Sequence, residues 1–267
     1  MKTTIFLLLT VFTTSLLAQT FDELPGVKAI QELSDEELVA RVSKCRPADL
    51  GDAMDAFGLI STGTMSHKMR PIREGISFAG IAYTVKFVPA VDPAVVCKTP
   101  EEYFERLDQW NTKVYGYEDG MKDGKAKDKV FVMDMSGQSA GNWGSHNGIF
   151  WTYGAEIAGI VVDGSIRDTY EANIEGIKGF CTRRTFDHPY HRIKLAGVNI
   201  PIQCDGVQVN PGDIISADDD GVLVIPREYI AKVLYLAEEI LDRDQQARAK
   251  SYKEFGLTPD ETLGPYK

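Results

Sequence analysis

The chain has 267 residues, 43% hydrophobic and 25% charged, with a formal net charge of −10 and a pI near 5.0. That length allows one large domain or two small ones with a full apolar core, so disulfide staples are not needed for folding. The acidic balance gives no electrostatic reason to bind nucleic acid or an anionic membrane, and a small anionic substrate has to be held by local positive groups.

Met1-Lys2, the apolar run Ile5 to Leu17 and the step Ala18-Gln19 read as a secretory signal peptide over residues 1–18. The run is shorter than the ~20 residues of a membrane span. The competing readings are an uncleaved N-terminal anchor or a misassigned start. A signal peptide predicts an exported protein, periplasmic or extracellular, with a single domain over residues 19–267. Cys45, Cys97, Cys181 and Cys204 follow no metal or redox spacing and read as mostly buried thiols. Export leaves up to two bridges open to them.

Ser34-Asp35-Glu36-Glu37 is a capping box ahead of Leu38, Val39 and Val42 and predicts a short helix. Pro47 opens a second helix over 48–57, closed by Gly58. Residues 78–88 form a strand-like run. Thr99-Pro100-Glu101-Glu102 reads as another capping box, launching a helix with Tyr103, Phe104, Leu107 and Trp110 on one apolar face. Residues 120–129 are polar and predict a solvated loop. The strand Val130–Asp134 leads into a loop with Gly137, Gly141, Gly144 and Gly148, a helical stretch to about Glu156, and the β-branched strand Ile160-Val161-Val162. Strand, glycine-rich loop, helix and strand form the pattern of a βαβ unit, hence an α/β protein. Asp163-Gly164 reads as a turn.

Beyond residue 185, short strands at 198–204, 207–209, 213–215 and 222–225 are broken by Asp205-Gly206, Asn210-Pro211-Gly212 and Asp218-Asp219-Asp220-Gly221. They predict a β-rich C-terminal lobe. A long helix closes the chain from about Arg227, with Ile230, Val233, Leu234, Ala237, Ile240 and Leu241 on one face.

The chemistry concentrates at Arg167-Asp168. Arginine offers a rigid fork for a carboxylate or keto-acid. Asp168 is a hard oxygen ligand suited to Mg²⁺ or Mn²⁺, and Glu171 lies on the same face of the first helical turn. The same acids also suit the start of a helix, Asp as N-cap and Glu by the dipole. The glycine-rich loop Ser139–Gly148 presents backbone amides to an anion, but it has neither the order of a Walker loop nor that of a dinucleotide fingerprint. Its end and Arg167 would share the carboxyl edge of neighbouring strands, where open α/β sheets bind ligands. His146 is a candidate acid/base or supporting group, the alternative being a plain polar residue at a helix start. His188 and His191 have a spacing that can chelate zinc, but Pro189 disfavours a helix between them and no further ligand stands at motif distance. Asp218-Asp219-Asp220-Gly221 reads as a hairpin turn rather than a calcium loop. No lysine reads as lying inside an apolar strand, as a Schiff-base nucleophile would.

Ala158-Gly159-x-Val161-Val162-Asp163-Gly164-x-Ile166-Arg167-Asp168, Asn210-Pro211-Gly212-Asp213 and Ala217–Pro226, with Ala48–Ala53 and Gly80–Val85 upstream, resemble the RraA-like proteins. That family includes 4-hydroxy-4-methyl-2-oxoglutarate aldolases and the regulator of ribonuclease activity A. The resemblance covers most of residues 45–250. It implies a layered β/β/α swivelling-domain fold, assembled as a homotrimer or homohexamer. It implies a divalent-metal aldolase that releases pyruvate from a small 4-hydroxy-2-oxo acid, with oxaloacetate decarboxylase activity at the side. By that resemblance Arg167 binds the 2-oxo acid, Asp168 holds the metal, Glu171 completes the acid pattern, and the amides of Asn147 and Gly148 grip the substrate carboxylate. An acid donated by the C-terminal helix of a neighbouring subunit falls at about Asp244.

Two departures bear on chemistry. Gly144-Ser145-His146 stands where the aldolases carry an acid, so His146 replaces a carboxylate. The segment 91–129 is longer than the family pattern and is placed to cap the site. The resemblance also admits a non-catalytic protein-binding ring, and the His146 replacement admits dehydration or epimerisation of a sugar acid at the same site.

Overall fold

The computed structural model describes residues 20–91, 95–139, 141 and 146–264. The expected signal peptide lies outside the described residues, as do Ala140 and residues 142–145 of the glycine-rich loop. Three short helices come first: α1 (Pro25–Gln31), α2 (Asp35–Val42) and α3 (Pro47–Ala56). The first capping box forms in full, because Ser34 Oγ accepts from Glu37 N while Ser34 N donates to the Glu37 carboxylate. Gly58, at φ +77°, ends α3 in a conformation that glycine adopts without steric cost.

The strands are β1 (Arg70–Pro71), β2 (Phe78–Pro89), β3 (Lys129–Asp134), β4 (Gly159–Ile166), β5 (Gly179–Arg184), β6 (Ile193–Val198), β7 (Ile202–Cys204), β8 (Val207–Val209), β9 (Ile214–Asp218) and β10 (Gly221–Ile225). One sheet runs β1-β5-β4-β3-β2-β9-β10, and β6 also pairs with β2. The pairs β2–β3, β3–β4 and β4–β5 are parallel. Their crossovers carry α4 (Pro100–Tyr115), α5 (His146–Ile149) and α6 (Thr169–Ile174). The expected βαβ unit is therefore β3–α5–β4. The β-rich C-terminal part is built onto this sheet through β2, with β7–β8 as a separate hairpin. Asp218 pairs with Gly221 across a two-residue turn, as the acidic run predicts.

Alternation along the antiparallel strands separates two cores. Ile214, Leu223 and Ile225 face α1–α3 and α7 (Ile230–Phe255), whereas Ile215, Ala217, Val222 and Val224 face the larger core around Phe131, Trp151 and Phe180. The apolar stripe of α7 is seated as its periodicity predicts: Ile230, Val233, Leu234 and Ala237 are buried. All four cysteines are free thiols; Cys45, Cys181 and Cys204 are buried, and Cys97 is half-buried.

Local expectations are corrected at five places. Asp163-Gly164 is not a turn: β4 continues to Ile166, and only its register with β5 shifts between Val162 and Ser165. Gly164 serves close packing, since a Cβ there would lie 2.8 Å from the Met135 side chain. The helix expected up to Glu156 is α5 followed by a π-helical turn, Phe150–Gly154, in which Ala155 N donates to Phe150 O. At the second cap, Thr99 accepts from Glu102 N, but the Glu102 carboxylate takes Lys98 N and leaves the box unclosed. The expected apolar face of α4 stays largely open, with Phe104 59% exposed; Tyr103 and Trp110 set ring edges against Tyr190. Finally, Lys86 does lie inside the apolar strand β2, but it is ion-paired with the buried Asp134, so it is a charged partner and not a free amine.

Candidate active site at the carboxyl edge of the parallel strands

β4 ends at Ile166, and the chain turns at Arg167-Asp168 into α6. Asp168 sits in the left-handed region, at φ +56° and ψ +39°, which an aspartate tolerates better than most residues. It occupies the N-cap position but makes no side-chain cap. Its carboxylate accepts from Arg167 Nε instead, at 3.1 and 3.2 Å to the two oxygens. The helix-start reading of Asp168 therefore fails in its usual form, because the acid serves its neighbouring guanidinium rather than the helix. The terminal amino groups of Arg167 have no other hydrogen-bond partner among the described residues. Arg167 and Asp168 are 23% and 27% exposed, open enough to meet a ligand.

The glycine-rich loop meets this turn directly. A Cβ on Gly141 would stand 2.0 Å from Ser165 O and 3.0 Å from Ile166 Cα, so only glycine lets the loop lie on the end of β4. Ser139 Oγ donates to the Asp187 carboxylate, and Thr185 Oγ1 donates to it as well, tying the same loop to the segment after β5. Beyond the undescribed residues, α5 carries His146, exposed, and Asn147, half-buried. Gly148 is buried, and a Cβ there would fall 2.0 Å from Glu175 Oε2, so the α5 backbone packs on the end of α6. An anion on the Asn147 and Gly148 amides would share that neighbourhood with the Glu175 carboxyl group.

Glu171 is exposed on the first turn of α6. Asp244 is elsewhere in the chain: it projects from α7 to Arg46, at 3.1 Å, and lies 3.9 Å from Arg248. Among the described residues, no three His, Cys, Asp or Glu side chains cluster as a metal cage. Mg²⁺ does not need one, since it keeps several waters and binds through one or two carboxylates. The Asp168 carboxylate, partly exposed beside Arg167, fits that requirement with Glu171 on the same helix start.

A family model described as "RraA-like: Aldolase/RraA" matches residues 47–224. The chain belongs to the RraA-like family. Protein DlpA of Legionella pneumophila is 29% identical over 224 residues, covering 82% of this chain and 32% of that protein. A protein of Halalkalibacterium halodurans, provisionally named 4-hydroxy-4-methyl-2-oxoglutarate aldolase, is 39% identical over 95 residues, 36% of this chain and 44% of its own length. The chain thus spans 32% of one of these curated relatives and 44% of the other. The crystal structure of Streptomyces coelicolor RraAS2, described as an unusual member of the RNase ES inhibitor RraA protein family, superposes with a TM-score of 0.64. It covers 82% of this chain and 100% of that one at 22% identity, which shows a shared fold.

Two further residues bear on the site of this RraA-like chain: His188, marked in the sequence only by its spacing to His191, and Glu118, which no motif marks. His188 lies in the field of the Arg167-Asp168 pair, and its imidazole is held below the usual range by burial first, then by Arg167 and Arg192, with Asp168 opposing. Its Nδ1 accepts from Tyr190 N at 3.1 Å, which leaves the neutral ring a donor at Nε2. Glu118, on the 3₁₀ turn Gly116–Met121, lines a cleft with His146 and Asn147. No motif marks Glu118, and the His188–His191 spacing points to zinc rather than to the Arg167-Asp168 pair, because both residues lie on connecting segments whose path no local periodicity encodes.

Proposed function

We propose that the protein is a divalent-metal-dependent lyase that cleaves a small 4-hydroxy-2-oxo acid and releases pyruvate, with oxaloacetate decarboxylation as a side reaction. The observation that carries this reading is the Arg167-Asp168 pair: a guanidinium steadied through Nε, its amino groups unpaired among the described residues, beside a carboxylate that the helix does not use. Arg167 would bind the 2-oxo acid through two parallel hydrogen bonds. Asp168, helped by Glu171, would hold Mg²⁺ or Mn²⁺. When bound, the ion supplies Lewis-acid stabilisation of the negative charge that develops on the keto oxygen. Arg167, and the amides of Asn147 and Gly148 if the substrate reaches them, would add positive dipoles. His146 would take the proton of the substrate hydroxyl.

Ile149, Tyr153, Tyr170 and Ile174 are each at least half exposed around α5 and α6. Such an apolar set on both sides of the site supports a homotrimer or homohexamer. A neighbouring copy in that assembly would bring its Asp244 toward the site. Residues 1–18 would direct the chain out of the cytoplasm. A screen of the processed protein across 4-hydroxy-2-oxo acids and oxaloacetate, read by pyruvate formation with and without Mg²⁺, tests the reading. Turnover by wild type and none by Arg167→Ala supports it. Binding of a protein partner with no turnover on any oxo acid favours a non-catalytic ring instead.

A further inference from the structure

The segment between β5 and β6 runs along the Arg167 turn. Thr185 N donates to Ile166 O at 3.1 Å, and Gly141 N donates to Asp187 O at 3.5 Å. Gly141 is the shared contact, because a Cβ on it would stand 3.0 Å from Ile166 Cα. Arg167 follows Ile166 and His188 follows Asp187, so the two side chains leave neighbouring stretches of backbone.

This segment is braced. The Asp187 carboxylate accepts from Ser139 Oγ at 3.1 Å and from Thr185 Oγ1 at 3.2 Å. Arg192 donates to the His188 carbonyl at 2.6 Å. Trp110 of α4 sets its ring 6.1 Å from the imidazole and Tyr190 sets its own at 6.5 Å, centroid to centroid, and the two rings meet each other at 5.7 Å. The long connection between β2 and β3, which carries α4, therefore helps to hold the imidazole beside Arg167.

Within that frame Tyr190 N donates to His188 Nδ1 at 3.1 Å. A ring nitrogen that accepts carries no proton, so the proton of the neutral ring is on Nε2. Burial and the Arg167 charge both favour the neutral ring. Among the described residues His188 Nε2 makes no hydrogen bond, yet it is not sealed from solvent, whereas His191 Nε2 is sealed and unpartnered.

We propose that His188 is a substrate-binding residue, its Nε2–H donating to an oxygen of the 2-oxo acid that Arg167 holds; this rests on the lyase reading above. Arg167 supplies charge and two parallel bonds, and His188 supplies a further donor from the adjoining segment. A neutral imidazole binds an oxygen without setting a second positive charge against the cation proposed at Asp168, which an imidazolium would repel.

The test uses His188→Phe, which keeps a flat ring beside Trp110 and removes the donor, and His188→Gln, which restores a side-chain N–H. Both are compared with wild type in pyruvate release and in thermal unfolding. His188→Phe is expected to raise KM about 10- to 10²-fold with a smaller change in kcat, the loss of one hydrogen bond to a charged acceptor. His188→Gln is expected to recover most of that loss. A His188→Phe enzyme with the wild-type KM overturns the proposal. So does a His188→Gln enzyme no better than His188→Phe, since a ring kept for packing alone is served by phenylalanine and not by glutamine. A second readout needs no turnover. In histidine-¹⁵N-labelled protein with Mg²⁺, assigned against His188→Gln, pyruvate is expected to shift the protonated Nε2 signal of His188 in wild type and not in Arg167→Ala. A proton found on Nδ1, or an Nε2 signal that pyruvate leaves unmoved, overturns the proposal. If wild type releases no pyruvate from any oxo acid, the lyase reading fails on its own, and the same spectra decide whether Arg167 and His188 share a carboxylate ligand.

Discussion

Arg167 and Asp168 are neighbours in sequence that also pair in space, with Nε 3.1 Å from Oδ1 and 3.2 Å from Oδ2. The left-handed backbone at Asp168 accompanies this pairing, and the carboxylate steadies the guanidinium without occupying its terminal amino groups. An arginine fixed in this way loses little freedom when it grips a carboxylate. Arg167→Lys keeps the charge and removes the fork. Its kcat/KM for pyruvate release is expected to fall at least ~10²-fold, and that of Arg167→Ala further, with unchanged thermal unfolding for both. Steady-state kinetics and calorimetry on the same preparations check this.

Asp168→Asn separates charge from backbone, because asparagine accepts the same left-handed conformation. The variant is expected to fold as wild type, to need far more Mg²⁺ for half-maximal activity, and to bind the ion too weakly for isothermal titration. A wild-type Mg²⁺ titration curve in Asp168→Asn would remove Asp168 as the metal ligand.

Gly141→Ala tests the contact between the loop and β4. The added Cβ meets Ser165 O at 2.0 Å, so backbone must move. Overpacking of this kind costs about 1–3 kcal/mol. Denaturant unfolding should show that loss together with a drop in activity, since the displaced loop no longer faces Arg167.

Burial pushes the Glu118 carboxyl up to about 8, which has a consequence for stability. Its folded pKa lies above its unfolded value, so the folded state holds the proton more tightly. The contribution is complete below pH ~4.5, and it is lost as pH rises through about 8. Melting temperature followed over that window is expected to decline in wild type and to decline less in Glu118→Gln. Equal slopes in the two proteins would show that Glu118 titrates as an exposed acid.

Much of the frame is legible in the chain. Ser34 and Glu37 announce α2, the β-branched run at 160–162 announces a buried parallel strand, and the 3–4 spacing from Ile230 to Leu241 announces α7. These signals are local, and each is set by hydrogen bonds or burial within a few residues. Arg167-Asp168 is legible for the same reason, since it closes the strand it follows. Asp163-Gly164 misleads because a glycine needed for close packing against Met135 looks the same in sequence as one needed for a turn. The α4 face misleads because its aromatic residues meet a loop, through Tyr190, rather than a sheet. Glu118 is silent in sequence, and His188 shows only its spacing to His191, because the position of each depends on where long connections fold back.

The reading rests most directly on one assay: pyruvate release from 4-hydroxy-2-oxo acids by the processed protein, with Mg²⁺ and then with excess chelator, beside Arg167→Ala. Turnover in wild type that chelator abolishes, reversibly on adding Mg²⁺, and that Arg167→Ala lacks is the predicted result. Full turnover in excess chelator, or in Arg167→Ala, would contradict it.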